Sequence, residues 1–235
     1  MAPNPSATRE RLIATAEELF AERGIGGVSL REINAAAGQR NSTALQYHFG
    51  DRDGLVRAVL GKHTPEVESR RHALLDEYEA AGAGNDHLRT LAGALVRPSA
   101  IKLADPDGGR AYLRIMAQLV HRPLEAVGRT ADDPRTSLNR WRALAGEVLP
   151  DVAVNQLHRR FTAIRITFVE LARRAEGRPA RDERLFTSHL VDLVTAILDA
   201  PLSGETERLL HERGAREPRR PAHPEAGREI TPPRV

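Results

Sequence analysis

Residues 29–55 read SLREINAAAGQRNSTALQYHFGDRDGL, from Ser29 to Leu55. Ser29-Leu30-Arg31-Glu32 has the form of a capping box. The serine hydroxyl can accept from the third helical amide, and Glu32 can reach back to the serine amide. Leu30, Ile33 and Ala37 then fall on one face of a short helix, and Gly38 closes it. A second short helix is expected over 41–49, with Leu45 and Phe49 on its buried side. Its other side carries a guanidinium, two carboxamides, hydroxyls and a phenol, the groups that bind base edges and phosphates. Asp51 and Asp53 suit the start of the next helix, where acids meet free amides. Upstream, Leu12, Ala16, Leu19 and Phe20 make one stripe of a supporting helix over about 6–23, stopped by Gly24 and Gly26-Gly27. Three helices with a glycine turn between the last two form a helix-turn-helix.

Outward from this module the apolar residues keep three- and four-residue spacing, so the fold is read as all-α. A fourth helix starts at Asp51, and Pro65 predicts a kink or a restart at Thr64-Pro65. Further helices are expected over 87–104, 108–121, 136–149, 151–176 and 181–200, separated by Pro- and Gly-bearing turns. From His211 the chain is rich in proline and poor in apolar residues, which predicts a disordered tail. The expected organisation is a helix-turn-helix domain at 1–50, a helical ligand-binding and dimerisation domain at 51–210, and a tail at 211–235.

Composition excludes several classes. The 235 residues contain no cysteine, which removes disulfides, zinc–cysteine sites and thiolate catalysis. No apolar run approaches the roughly 20 residues of a membrane span, so a soluble, cytoplasmic protein without a membrane partner is expected. None of the nine histidines stands three or four residues from another, and no catalytic or phosphate-cradling motif occurs. No enzyme, metal site or cofactor is therefore expected. A protein–protein adaptor or an all-α enzyme without a recognisable motif is the alternative. The net charge is only +3, too small to argue for nucleic acid by itself.

The N-terminal motifs together resemble the tetracycline-repressor (TetR) family of transcriptional regulators. The resemblance rests on Leu12, Ala16 and Phe20, on Gly24, on Ser29 to Ile33 with Ala35, Ala37 and Gly38, on Tyr47-His48-Phe49, and on Asp51 to Leu55. One residue more separates Gly38 from Phe49 than is usual in the family, so the turn or the start of the recognition helix is longer. The resemblance implies that Ser29 and Arg31 contact the DNA backbone and that Arg40, Asn41, Ser42 and Thr43 face the major groove. It puts Gln46, Tyr47, His48 and Arg52 near phosphates, although Tyr47 and His48 could equally cap and pack against the fourth helix.

The implied partners are double-stranded operator DNA, a small-molecule effector and a second copy of the chain. Leu157, Phe161, Ile164, Phe168 and Leu171, with Phe186, Leu190, Leu193 and Ile197, form heptad-like seams on the last two long helices. They either fill the protomer's own core or join their mates across a two-fold. The family resemblance favours the second and so assigns Leu157, Phe161, Ile164, Phe168, Leu190, Leu193 and Ile197 to a dimer interface. Leu91, Leu95, Leu113, Met116, Val120 and Trp141 are core by periodicity and candidate pocket lining as a group.

Overall fold

The computed structural model describes residues 5–39, 44–82, 86–120, 133 and 135–216. No strand occurs among them, and the chain divides into two compact units, 1–199 and 200–235. The first opens with α1 (Pro5–Arg23), α2 (Leu30–Ala36), α3 (Ala44–Phe49) and the long α4 (Arg52–Ala81). It continues with α5 (His87–Ala100), a 3-10 turn (Ile101–Leu103), α6 (Gly109–Leu119) and α7 (Ser137–Val148). It ends with α8 (Asp151–Asn155), α9 (Arg159–Glu176) and α10 (Arg184–Asp199).

Two apolar clusters organise these helices. The N-terminal cluster gathers Leu12, Ala16 and Phe20 of α1, Ile33 of α2, Leu45 of α3, and Leu55, Val56 and Val59 of α4. Ile115 and Leu119 of α6 complete it. The body cluster includes Val67 and Leu75 of α4, Leu91 and Leu95 of α5, Leu113 of α6 and Trp141 of α7. Phe168 and Leu171 of α9 and Leu190 and Val194 of α10 close it. Helices α4 and α6 thus belong to both clusters.

The expected restart at Pro65 does not occur, because α4 runs unbroken from Arg52 to Ala81. Proline deprives the Gly61 carbonyl of its donor, but Gly61 and Pro65 lie on the exposed side, where water can replace it. The Thr64 hydroxyl also ties this turn together by donating to the Leu60 carbonyl at 2.8 Å. The single helix expected over 151–176 is instead broken into α8 and α9. His158 between them has a φ of 52°, a left-handed conformation that histidine tolerates better than most side chains. Leu157 therefore lies in a link and not in a helical seam.

In the second unit α11 spans Gly204–Arg216 and so occupies 211–216, the first part of the segment expected to be disordered. Glu205 and Glu207 suit its first turn, and Arg208 pairs with Glu212 at 3.1 Å one turn on, before the first proline of the tail is reached. Positions 217–235 lie outside the described residues. No single helix among the described residues is long and apolar enough to cross a membrane.

Candidate nucleic-acid interface

The start of α2 is built as its sequence dictates. The Glu32 amide donates to Ser29 Oγ at 3.2 Å, and the Ser29 amide donates to Glu32 Oε2 at 2.7 Å. Arg23, at the end of α1, reaches the other carboxylate oxygen at 2.7 Å. The Ser29 backbone bond, then the Arg23 guanidinium, hold the Glu32 carboxyl down at about 2. Both termini of the α1–α2 turn are therefore fastened, with Ser29 and Arg31 left exposed. Helix α2 ends in a glycine turn: Gly38 has a φ of +67°, which an L side chain adopts only under strain, and the Gln39 amide returns to the Asn34 carbonyl at 2.9 Å.

Helix α3 gives Ala44 and Leu45 to the core and turns Gln46 and Tyr47 outward. Tyr47 is 83% exposed, an unusual cost for an aromatic ring. His48 and Phe49 are half-buried; the His48 ring meets Tyr47 edge-on at 5.1 Å, and the Arg9 guanidinium lies 5.4 Å over the Phe49 ring. Asp51 caps α4 by accepting from the Gly54 amide at 2.7 Å. A Cβ at Gly54 would stand 1.9 Å from the Phe49 carbonyl oxygen, so glycine is what lets α3 and α4 approach. Arg40, Asn41, Ser42 and Thr43 lie outside the described residues.

Arg52 has a task that its sequence position concealed. One guanidinium nitrogen donates to the Val28 carbonyl at 2.6 Å and to that of Ile25. It staples the α1–α2 turn to α4 from within, so that nitrogen is not available to a phosphate. Gln118 of α6 grips the same turn, accepting from the Ile25 amide at 2.8 Å and donating to the Phe20 carbonyl at 2.9 Å. Neither contact has a local sequence signal, because the partners lie far apart in the chain.

The remaining candidates separate. Leu91, Leu95, Leu113 and Trp141 are fully buried, and Met116 and Val120 pack against them. The Trp141 indole donates to the Leu91 carbonyl at 2.7 Å. These six fill core. Two concavities lie elsewhere: one of about 410 Å³ is lined by Leu74, Tyr78, His87 and Arg97, and one of about 340 Å³ by Arg114, Gln118, Val169 and Arg173. The expected pocket lining touches neither, because leucines at helical spacing interdigitate closely.

In the seams, Ile164, Phe168 and Leu190 are buried in the protomer, while Leu157, Phe161 and Ile197 are half-buried. Leu193 remains 41% exposed, on the same side of α10 as the exposed Leu185 and His189. The core face of α10 is Leu190, Val191, Val194 and Leu198.

A capped helix, a glycine turn and a short helix that offers its polar side to solvent define a helix-turn-helix regulator of the kind that reads DNA. Residues 12–59 match the model of the bacterial regulatory proteins of the tetR family, and this N-terminal segment belongs to that family. No curated protein matches the chain. Among solved structures, the chain is similar to NalD, the secondary repressor of the MexAB-OprM multidrug efflux pump in Pseudomonas aeruginosa (19% identity, 80% of this chain, 94% of that one, TM-score 0.45). A gamma-butyrolactone receptor described as ArpA-like gives 23% identity, 81% and 96% coverage and a TM-score of 0.44. The superantigen PfiT gives 20%, 83%, 97% and 0.44.

Arg52→Met should lower stability by about 1.5–3 kcal/mol, the worth of hydrogen bonds from a charged donor. Tyr47→Ala should leave it within about 0.5 kcal/mol, as befits an exposed side chain; urea denaturation of both variants checks this. Glu32 has a depressed carboxyl, so its contribution is present above about 4.5, the ordinary value, and is lost as pH falls towards about 2. Acid unfolding of Glu32→Gln should therefore lack the part of the pH dependence that wild type shows in that window.

Proposed function

We propose that this protein is a dimeric, ligand-responsive transcriptional repressor that acts in the cytoplasm, binds a palindromic operator and is released by a small molecule. The observation that carries the reading is α3, which spends only Ala44 and Leu45 on the core and leaves Gln46 and Tyr47 to solvent beside a rigidly capped α2. A helix this short gains little from packing, so its exposed side is where its use lies. The groove contacts fall to Arg40, Asn41, Ser42 and Thr43. The backbone contacts fall to Ser29, Arg31, Gln46 and Tyr47, with His48 behind them.

One such helix reads only a few base pairs. A two-fold pair reads half-sites about 34–36 Å apart or a multiple of that. Leu185 and Leu193 support such a pair, since they put apolar surface on one side of α10 while the opposite side is spent on the core. Ligand release needs an effector that favours the non-binding state, with a coupling of about 1–3 kcal/mol.

Nuclease footprinting should reveal protection of a short palindrome, and Arg40→Ala should weaken it without changing the melting temperature; unchanged affinity across salt concentrations would remove Arg40 from the groove. Leu193→Glu should yield a folded monomer by light scattering, and a variant that stays dimeric would count against α10 as the interface. Phe168 cannot serve for this purpose: at 2% exposure its substitution strikes the protomer's own core.

A further inference from the structure

Along α4 every fourth residue is buried: Leu55, Val59, His63, Val67, Arg71 and Leu75. Two of these positions hold groups that carry charge. His63 meets carboxylates from both ring nitrogens, Glu17 at 2.6 Å and Asp105 at 3.5 Å. Arg71, at 2% exposure, meets none at hydrogen-bond distance. Its NH1 donates to Ser137 Oγ at 2.9 Å and its NH2 to Ser99 Oγ at 3.2 Å. Nε has no partner.

The nearest carboxylate, Glu68, lies 3.6 Å from NH1 and is already engaged: it accepts from the Ser137 amide at 2.6 Å and from the Ser137 hydroxyl at 2.7 Å. Burial accordingly pushes the Arg71 guanidinium down from its ordinary value. A buried guanidinium served by neutral hydroxyls is costly, and its Nε edge matches a carboxylate through two parallel bonds.

The surroundings suit such a ligand. Arg71 and Glu68 come from α4, Ser99 from α5, Tyr112 from α6 and Ser137 from α7, so four helices meet at this point. Ser99, Ser137 and Tyr112 are all buried, and the cluster in which they stand is otherwise apolar. Serine hydroxyls turn freely and can donate to an anion as readily as they now accept from Arg71.

We propose that Arg71 anchors the effector, and that the effector is a small organic acid with a carboxylate on an apolar body. The carboxylate takes the Nε edge of the guanidinium, the Ser99 and Ser137 hydroxyls turn to it, and the apolar part lies between α4, α5 and α7. This rests on the reading of the body as an effector-binding domain. It also explains why a costly cation occupies a position that a leucine or methionine could fill.

The probes are octanoate and benzoate, with octanamide and benzamide as neutral isosteres, added to the full-length protein free of DNA. At least one acid should raise the melting temperature and give a calorimetric binding isotherm, and its amide should not. Arg71→Met should fold at least as stably as wild type, because replacing a buried charge by an apolar side chain of similar volume is often neutral or stabilising. It should lose about 10- to 100-fold in acid affinity, the worth of hydrogen bonds to a charged group.

Ser99→Ala keeps the guanidinium and should lose affinity several-fold, which keeps the test sound even if Arg71→Met does not fold. Acid and amide acting alike, undiminished acid binding in both variants, or no response to either acid would each overturn the proposal. Footprinting of the same samples separates the two readings. Acid binding without operator binding would overturn the regulator reading alone, and operator binding without any acid response would overturn the carboxylate site alone.

Discussion

Glu17 of α1 and His63 of α4 stand 2.6 Å apart in the interior, and the angle between the reading helices and the body depends on that contact. The second carboxylate oxygen of Glu17 takes Lys62 at 2.9 Å, and Lys62 continues to Asp107 at 2.7 Å. Lys102 binds Asp105 at 2.9 Å and Glu66 at 2.6 Å. This polar belt crosses α4 between Val59, which serves the N-terminal cluster, and Val67, which serves the body. Apolar surfaces can slide over one another at little cost, whereas buried ions admit only arrangements in which each keeps its partner. Breaking a buried pair by removing one member costs about 3–5 kcal/mol. The belt therefore converts two greasy contacts into one defined orientation.

Helix α6 reinforces that orientation from the other side. Its Ile115 and Leu119 enter the N-terminal cluster, while Gln118 holds the Phe20 carbonyl and the Ile25 amide. At its opposite end Arg110 donates to the carbonyls of Arg174 at 2.8 Å, Ala175 at 3.1 Å and Gly177 at 2.7 Å, where α9 stops. One short helix thus fastens the end of α9 and the turn before α2 to the same rigid rod. A displacement of either end is felt at the other, because close-packed interiors transmit strain.

The N-terminal module was legible because its signals are local. Ser29 and Glu32, Gly38, and Asp51 act on amides within a few residues, so sequence order and spatial order coincide. The body was legible as helices but not as partners. The spacing of Ile164 and Phe168 says that one side of α9 is buried and cannot say against what; the answer is the protomer's own core. The same limit turned Leu91, Leu95 and Trp141 into candidate pocket lining. His63 and Arg71 did leave a signal that periodicity alone passes over: each is a polar residue on the apolar stripe of α4. Pro65 misled in the opposite sense, since a proline on the exposed side of a long helix leaves its orphaned carbonyl in water.

The arginine content acquires a physical meaning from the structure. Of the 35 basic residues all but Lys62 and Lys102 are arginines, yet the net charge is +3 and the excess does not gather on the reading helices. Many of these guanidiniums point inward, at backbone. Arg52 closes on Ile25 and Val28, Arg110 on the end of α9, Arg159 on the Leu198 carbonyl at 3.2 Å and Arg160 on the Arg142 carbonyl at 2.6 Å. The last carbonyls of a helix lack intrahelical donors and carry the negative end of its dipole. A planar fork on a long stem can satisfy several of them at once, which an ammonium does less well. In an all-α chain with many helix ends to close, arginine serves as mortar first and as a nucleic-acid ligand second. Arg71 stands apart from this use, because hydroxyls and not carbonyls receive it and one edge of its fork is left empty.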